Sequence, residues 1–204
     1  SAFQDQESIE GLSGVYITGY YIVGYMFAEI TASHFEDGMI EEIRKGNIVN
    51  WLLKPISLRR FLYVHELSWR TMTALTIVLP VLVLTFFLAP SVLPRLSFLS
   101  LAGLLAFAVI SYSLDVVFSL FIVSFGFVFE QAKSLQHIKW MLGWLLSGSM
   151  MPPQLFPQAL ENIVNLLPFR FRYAVPVNIA FGRYDWTEIL LLIGYACLWM
   201  ILLT

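Results

Sequence analysis

Few residues in this chain could do chemistry, and their spacing narrows what that chemistry is. Asp115 is the one acid in the apolar run from Leu96 to Phe129. A carboxylate at membrane depth faces protein or water, so two roles stay open for it. One is an ion, proton or substrate-pathway site. The other is a structural hydrogen bond, with Ser111, Tyr112 and Ser119 near it on the same helix. Glu66 and Arg70 stand four positions apart, the spacing of a local helical ion pair. His34, His65 and His137 are scattered, with neither HExxH nor Cys/His spacing, so no metal site is expected. The single Cys197 lies in an apolar run, which excludes an internal disulfide and a cysteine metal cluster. There is no GxSxG for acyl chemistry and no GxxxxGK[ST] to cradle ATP phosphates. The residues therefore predict no enzyme and no cofactor in this chain.

The elements that carry these residues are apolar. Of 204 residues, 58% are hydrophobic and 13% charged, against about 25% charged in soluble domains. With a mean hydropathy of +0.75, the chain reads as one membrane-embedded, all-α domain over 1–204. The net charge of −2 gives a nucleic-acid partner no electrostatic support. A spanning helix needs about 20 apolar residues. Gly11–Ala32 is a first candidate span, and Phe61–Ala89 a second, interrupted by a tolerable Pro80. Leu96–Phe129 would be roughly 51 Å long as one helix, so it must tilt, break or project into water. Trp140–Met151 is too short to cross alone, so its helix either starts earlier, near Glu130, or crosses only in part. A last span runs from about Trp186. Between these, Pro152, Pro153, Pro157, Pro168 and Pro176 divide 152–185 into two pieces of about half a bilayer each, which predicts a re-entrant hairpin.

Lys and Arg set the expected orientation. Loop 33–60 carries Arg44, Lys45, Lys54, Arg59 and Arg60 and is placed in the cytoplasm, while the polar Ser1 end carries no base. Alternation then puts 90–96 and the hairpin outside, and 130–139 inside. The hairpin's Arg170, Arg172 and Arg183 depart from the rule; its Phe-Arg-Phe-Arg-Tyr run at 169–173 could meet anionic lipid or substrate groups, with snorkelling beside headgroups the default. Tyr16, Tyr20, Tyr21 and Tyr25 on the first span read as packing and interfacial anchors, with a substrate-stacking wall as the alternative. An apolar run still open at Thr204 and an outward first residue imply a fragment lacking a first helix and the end of the last.

Loop 33–60 is the most informative stretch. Acids at Glu36, Asp37, Glu41 and Glu42, bases at Arg44 and Lys45, then Gly46, predict a short helix with a favourable dipole and a glycine stop. Asn47–Leu53 forms an apolar patch too short to cross, Lys54 before Pro55 is pushed toward extended geometry, and Ser57 can cap the next helix. By pattern alone this is either an amphipathic piece on the inner leaflet or a dock for a cytosolic partner.

The run Ile43-Arg44-x-Gly46 followed by Leu52-Leu53-Lys54-Pro55-Ile56-Ser57 resembles the signature of bacterial ABC-type exporter permeases of the type-2 membrane family. Leu155-Phe156-Pro157, Leu167-Pro168-Phe169, Tyr173 with Pro176, and Gly182 are similar to that family's closing pattern. The resemblance spans the second to the sixth of six expected helices, so about five spans. It implies a multi-pass permease subunit of the bacterial inner membrane, embedded among its lipids and paired with a second permease, identical or paralogous. ABC ATPase subunits would carry ATP and Mg. It also implies that loop 33–60 couples to the ATPase through Glu41, Arg44, Gly46, Leu53, Lys54 and Pro55, and that hairpin 152–185 caps the path on the outer side. The rival reading is an ion-coupled secondary transporter or channel built on Asp115.

Overall fold

A computed structural model describes residues 13–129 and 132–204. The expected first-span start at Gly11, the polar Ser1 end and Glu130 lie outside these residues. All regular structure among the described residues is helical: α1 (Gly14–Thr31), α2 (Glu36–Arg44), α3 (Ile48–Leu52), α4 (Leu58–Thr73), α5 (Leu79–Leu88), α6 (Phe98–Ser124), α7 (Ala132–Leu146), α8 (Gln158–Leu166), α9 (Ala174–Ala180) and α10 (Trp186–Leu203). The chain is a helical membrane bundle. Three helices are long and apolar enough to cross a membrane by length and composition: Leu58–Leu88, Phe98–Phe127 and Trp186–Leu203. Helix α1 matches the last in length, but its tyrosines and Glu29 make it less apolar.

Local chemistry explains the breaks. α4 and α5 run as one helix through a π-helical stretch at Ala74–Val78. Pro80 lacks an N–H and its ring crowds the Thr76 carbonyl, so the ladder widens there instead of ending. α6 starts only after Ser97, whose side chain accepts the Ser100 N–H at 3.1 Å, and it closes in a 3-10 turn at Phe125–Phe127. Capping at one end and tightening at the other shorten the over-long apolar run. α7 begins at Ala132, earlier than its apolar stretch, and is 15 residues long.

α6 is the axis, with α1, α9 and α10 packed along it. The core between them holds Phe27, Phe107, Leu114, Phe171, Ile179 and Ile189. Every residue of α9 is buried, which fits a short helix that is apolar nearly all round. Segment 152–185 folds as two short helices, α8 and α9, with 3-10 turns at Pro153–Leu155 and Pro168–Arg172. The Leu166 carbonyl accepts from Tyr195 and, at 3.2 Å, from Trp199 Nε1, both in the second half of α10. The Phe169 ring sits 5.6 Å from Phe118, and Ser111 Oγ donates to the Phe171 carbonyl at 2.7 Å. The chain then climbs through α9 to Phe181, whose ring lies 4.9 Å from Tyr16 at the start of α1.

Glycines let this hairpin approach α1. A Cβ at Gly24 would overlap the Tyr173 ring. That ring cannot swing away freely, because its hydroxyl donates to the Tyr21 carbonyl at 3.0 Å and it packs 5.5 Å from Tyr20. Gly24→Ala should therefore destabilise the bundle by a net on the order of 1 kcal/mol, the clash outweighing the gain in helix propensity. Gly194→Ala, with nothing within 4 Å, should be neutral or slightly stabilising. Unfolding of both variants in mixed detergent checks the pair.

Candidate functional site

Loop 33–60 folds as its charges and glycine dictate. Glu36 and Asp37 occupy the first turn of α2, Arg44 its last, and Lys45 its C-cap. Gly46 follows at φ +74°, the left-handed region where a Cβ is penalised, and open space surrounds it. Ser57 sits at the N-cap of α4, but its hydroxyl makes no capping bond. On its inner side the loop buries Met39, Ile40 and Ile48 against Leu62, Ile122 and Val123. On its outer side Leu52, Leu53 and Ile56 are 62%, 77% and 57% exposed. Trp51 stiffens this apex: its Nε1 donates to Glu42 Oε2 at 3.4 Å, and Lys54 Nζ lies 3.7 Å from its ring centre.

Of the residues that sequence reasoning singled out, Glu41 and Arg44 are brought together, with Nη2 donating to Oε1 at 2.8 Å. Glu41 also meets Lys45 at 3.3 Å and Lys133 of α7 at 3.2 Å. Arg44 first, then Lys133, holds the Glu41 carboxyl down at about 2, and Asp37 with Glu41 raises the Lys133 ammonium. Gly46, Leu53, Lys54 and Pro55 lie apart from that pair, on the exposed side of the loop.

Asp115 stands elsewhere, and its partners differ from those its own helix suggested. Ser111 Oγ is taken by the Phe171 carbonyl and the Tyr112 hydroxyl by the Tyr63 carbonyl, while Ser119 Oγ reaches the backbone carbonyl of Asp115, at 2.8 Å, and not its carboxylate. The carboxylate is served from other elements. Asp115 Oδ2 accepts from Ser33 N at 2.6 Å and Ser33 Oγ at 2.9 Å. Asp115 Oδ1 lies 3.6 Å from Lys139 Nζ and 3.8 Å from Arg172 Nη1. Lys139 in turn contacts Glu36 Oε1 and donates to Ser119 Oγ at 2.6 Å, and Ser119 Oγ reaches Glu36 Oε1 at the same distance. Glu36 is fully buried.

Sequence reasoning treated Glu36 as a first-turn dipole acid and Lys139 as an inner-side base, and it missed their pairing. The signal was present in part: each stands at the edge of an apolar stretch where a lone charge needs a partner. Arg172, expected to snorkel outward, points inward instead, because the buried Asp115 is the nearer counter-charge.

A second buried set stands beside the first. Arg70 Nη2 meets Glu66 Oε1 at 3.0 Å, the local pair the spacing predicted, and Nη1 donates to the Glu29 carbonyl at 3.0 Å. His34 N donates to Glu66 Oε1 at 3.1 Å. Burial, then the Arg70 guanidinium, holds His34 down at about 4. At neutral pH its Nδ1 is therefore an acceptor for Arg70, at 2.9 Å.

Fold and site together define a polytopic helical membrane protein whose protruding loop is anchored on buried charge. Residues 2–204 match the family described as ABC-2 family transporter protein. The chain belongs to that family and is an ABC transporter permease. No curated protein and no solved structure matches it.

Two outcomes follow from the charges. Lys139→Met leaves the buried Glu36 without its counter-charge and should cost about 3–5 kcal/mol. Adding Glu36→Gln should restore part of that loss, as read from reversible unfolding in mixed detergent. Glu41 has a folded pKa below its ordinary 4.5, so its contacts help hold α2 to α7 above that value and fade as pH falls toward 2. A carbon-13 titration of the Glu41 carboxyl should show the low pKa, with Arg44→Gln raising it most and Lys133→Gln next.

Proposed function

We propose that this chain is the permease subunit of an ATP-driven exporter in a bacterial inner membrane. It would work with a second permease subunit, identical or paralogous, and with separate ABC ATPase subunits that bind ATP and Mg. The observation that carries this reading is the apex of loop 33–60. Three large apolar side chains, Leu52, Leu53 and Ile56, stand exposed on a stiffened turn just past Gly46. An exposed apolar cluster on a well-held scaffold fits a protein partner better than water. The residues of the expected coupling contact, Glu41, Arg44, Gly46, Leu53, Lys54 and Pro55, belong to this loop.

In this reading ATP-driven closure of the ATPases displaces the loop. The displacement is transmitted through Glu36, because α2 begins with a carboxylate tied to α6 and α7. Such a push shifts the equilibrium only if the ATP-bound and free ATPases hold the loop in different geometry. The arrangement of Asp115 speaks against the ion-coupled alternative. Ser33, Lys139 and Arg172 already surround its carboxylate, so it serves as an internal counter-charge.

Affinity purification from native membranes tests the proposal. A P-loop ATPase should co-purify in fixed ratio with the wild-type chain. Leu53→Asp, a change at an exposed side chain, should cut its recovery at least tenfold without changing thermal stability, and Gly46→Val should also cut it, by straining the turn at φ +74°. Absence of any such ATPase, or full recovery with Leu53→Asp, would overturn the reading.

A further inference from the structure

We propose that the groove between α1 and α7 binds a small amphipathic anion, its carboxylate or phosphate held by Arg172 and its apolar body held by Tyr25, Trp140 and Trp144. The proposal names the substrate class of the permease reading and rests on that reading for the word substrate, though not for binding.

The groove has a volume of about 290 Å³, and among the described residues Arg172 is the only charged side chain lining it. Tyr25, Trp140 and Trp144 are 44%, 44% and 59% exposed; His34 packs 5.0 Å from the Trp140 ring, and the exposed ring surface that is left can cover a flat or chain-like body. The guanidinium is short of partners. It forms no hydrogen bond with a described residue, and its ionic neighbour Asp115 is 3.8 Å away, beyond hydrogen-bonding reach. Asp115 is itself already served by two bonds from Ser33 and by Lys139. Arg172 thus keeps its forked donors available at the floor of an apolar groove, the geometry that takes a carboxylate or phosphate in two parallel bonds. The Trp140 ring, 6.0 Å from its guanidinium carbon, helps hold it in place. The aromatic rings could attract a cation, but Arg172 repels one. The size is at the low end of small-molecule sites, about 300–1,000 Å³, and suits one chain or ring system better than the two acyl chains of a phospholipid.

Arg172 also lines the cavity of about 30 Å³ beside Asp115 and Lys139, so occupancy of the groove is felt by the buried charges. An anion on Arg172 takes a positive charge from Asp115. Asp115 then draws more strongly on Lys139, the partner of Glu36 at the head of α2.

The purified chain in nanodiscs of phosphatidylcholine, titrated calorimetrically with dodecyl phosphate and with dodecyltrimethylammonium, tests the proposal. Saturable binding of the anion, at least tenfold tighter than that of the cation, is expected. Arg172→Gln should weaken anion binding at least tenfold and Arg172→Lys less, while Asp115→Asn, which removes the competing carboxylate, should tighten it several-fold. If Arg172→Gln does not fold, the opposite responses of Arg172→Lys and Asp115→Asn still decide. Equal binding of anion and cation, or indifference to both of these substitutions, overturns the site. So does displacement of dodecyl phosphate by equimolar phosphatidylglycerol in the nanodisc, which would make the groove a lipid-headgroup site. Dissociation of a dimer by Trp140→Ala with Trp144→Ala, without loss of anion binding, would assign the groove to a second copy of the chain and also overturn it. None of these measurements needs the ATPase, so a failed co-purification leaves the anion site standing, and the reverse holds.

Discussion

Lys139 sits almost wholly out of solvent between Glu36, which it contacts, and Asp115, 3.6 Å away. An ammonium in such surroundings costs several kcal/mol unless opposite charge and hydrogen bonds reach it. Meeting that requirement constrains four separate stretches of chain. α2 must start where Glu36 can touch α7, the turn after α1 must present Ser33 to Asp115, α6 must face Asp115 and Ser119 the same way, and the returning hairpin must bring Arg172 close. Each stretch is short, and none holds the cluster by itself.

The opposite end of the bundle is held by different forces. There Tyr20 donates to the Gly148 carbonyl at 2.9 Å, Tyr173 donates to the Tyr21 carbonyl, and Tyr16 donates to Asn178 Oδ1 at 3.2 Å. Gly148, at φ +89°, has no room for a Cβ beside the Tyr20 hydroxyl. Neutral hydroxyls on backbone and amide oxygens, with rings packed around glycines, make a dense contact, and the Arg183 guanidinium lies 3.9 Å from the Tyr16 ring centre. The charged end responds to any charge that arrives or moves.

Elements whose cause is local were legible from residue order. The acids, bases and glycine of loop 33–60 predict α2 and its stop, and both form. Proline spacing over 152–185 predicts two short pieces, and two short helices, α8 and α9, form there. The i,i+4 spacing of Glu66 and Arg70 predicts their pair. Three readings needed the fold. Asp115 looked to neighbours on its own helix and found Ser33, 82 positions away. Arg172 looked bound for the headgroups and turned inward. Glu36 looked like a solvated dipole acid and is fully buried against Lys139, 103 positions away.

Residue order by itself determined the apolar character of the chain, the dipole and glycine stop of α2, and the short loop that cannot cross. Those follow from composition and from contacts within one or two turns, which carry no memory of distant chain. Only the tertiary structure decided which lone charges neutralise one another and which guanidinium is left with spare donors. Ion pairing depends on distance in space, and a residue pattern holds no information on which of several separated bases reaches a given buried carboxylate.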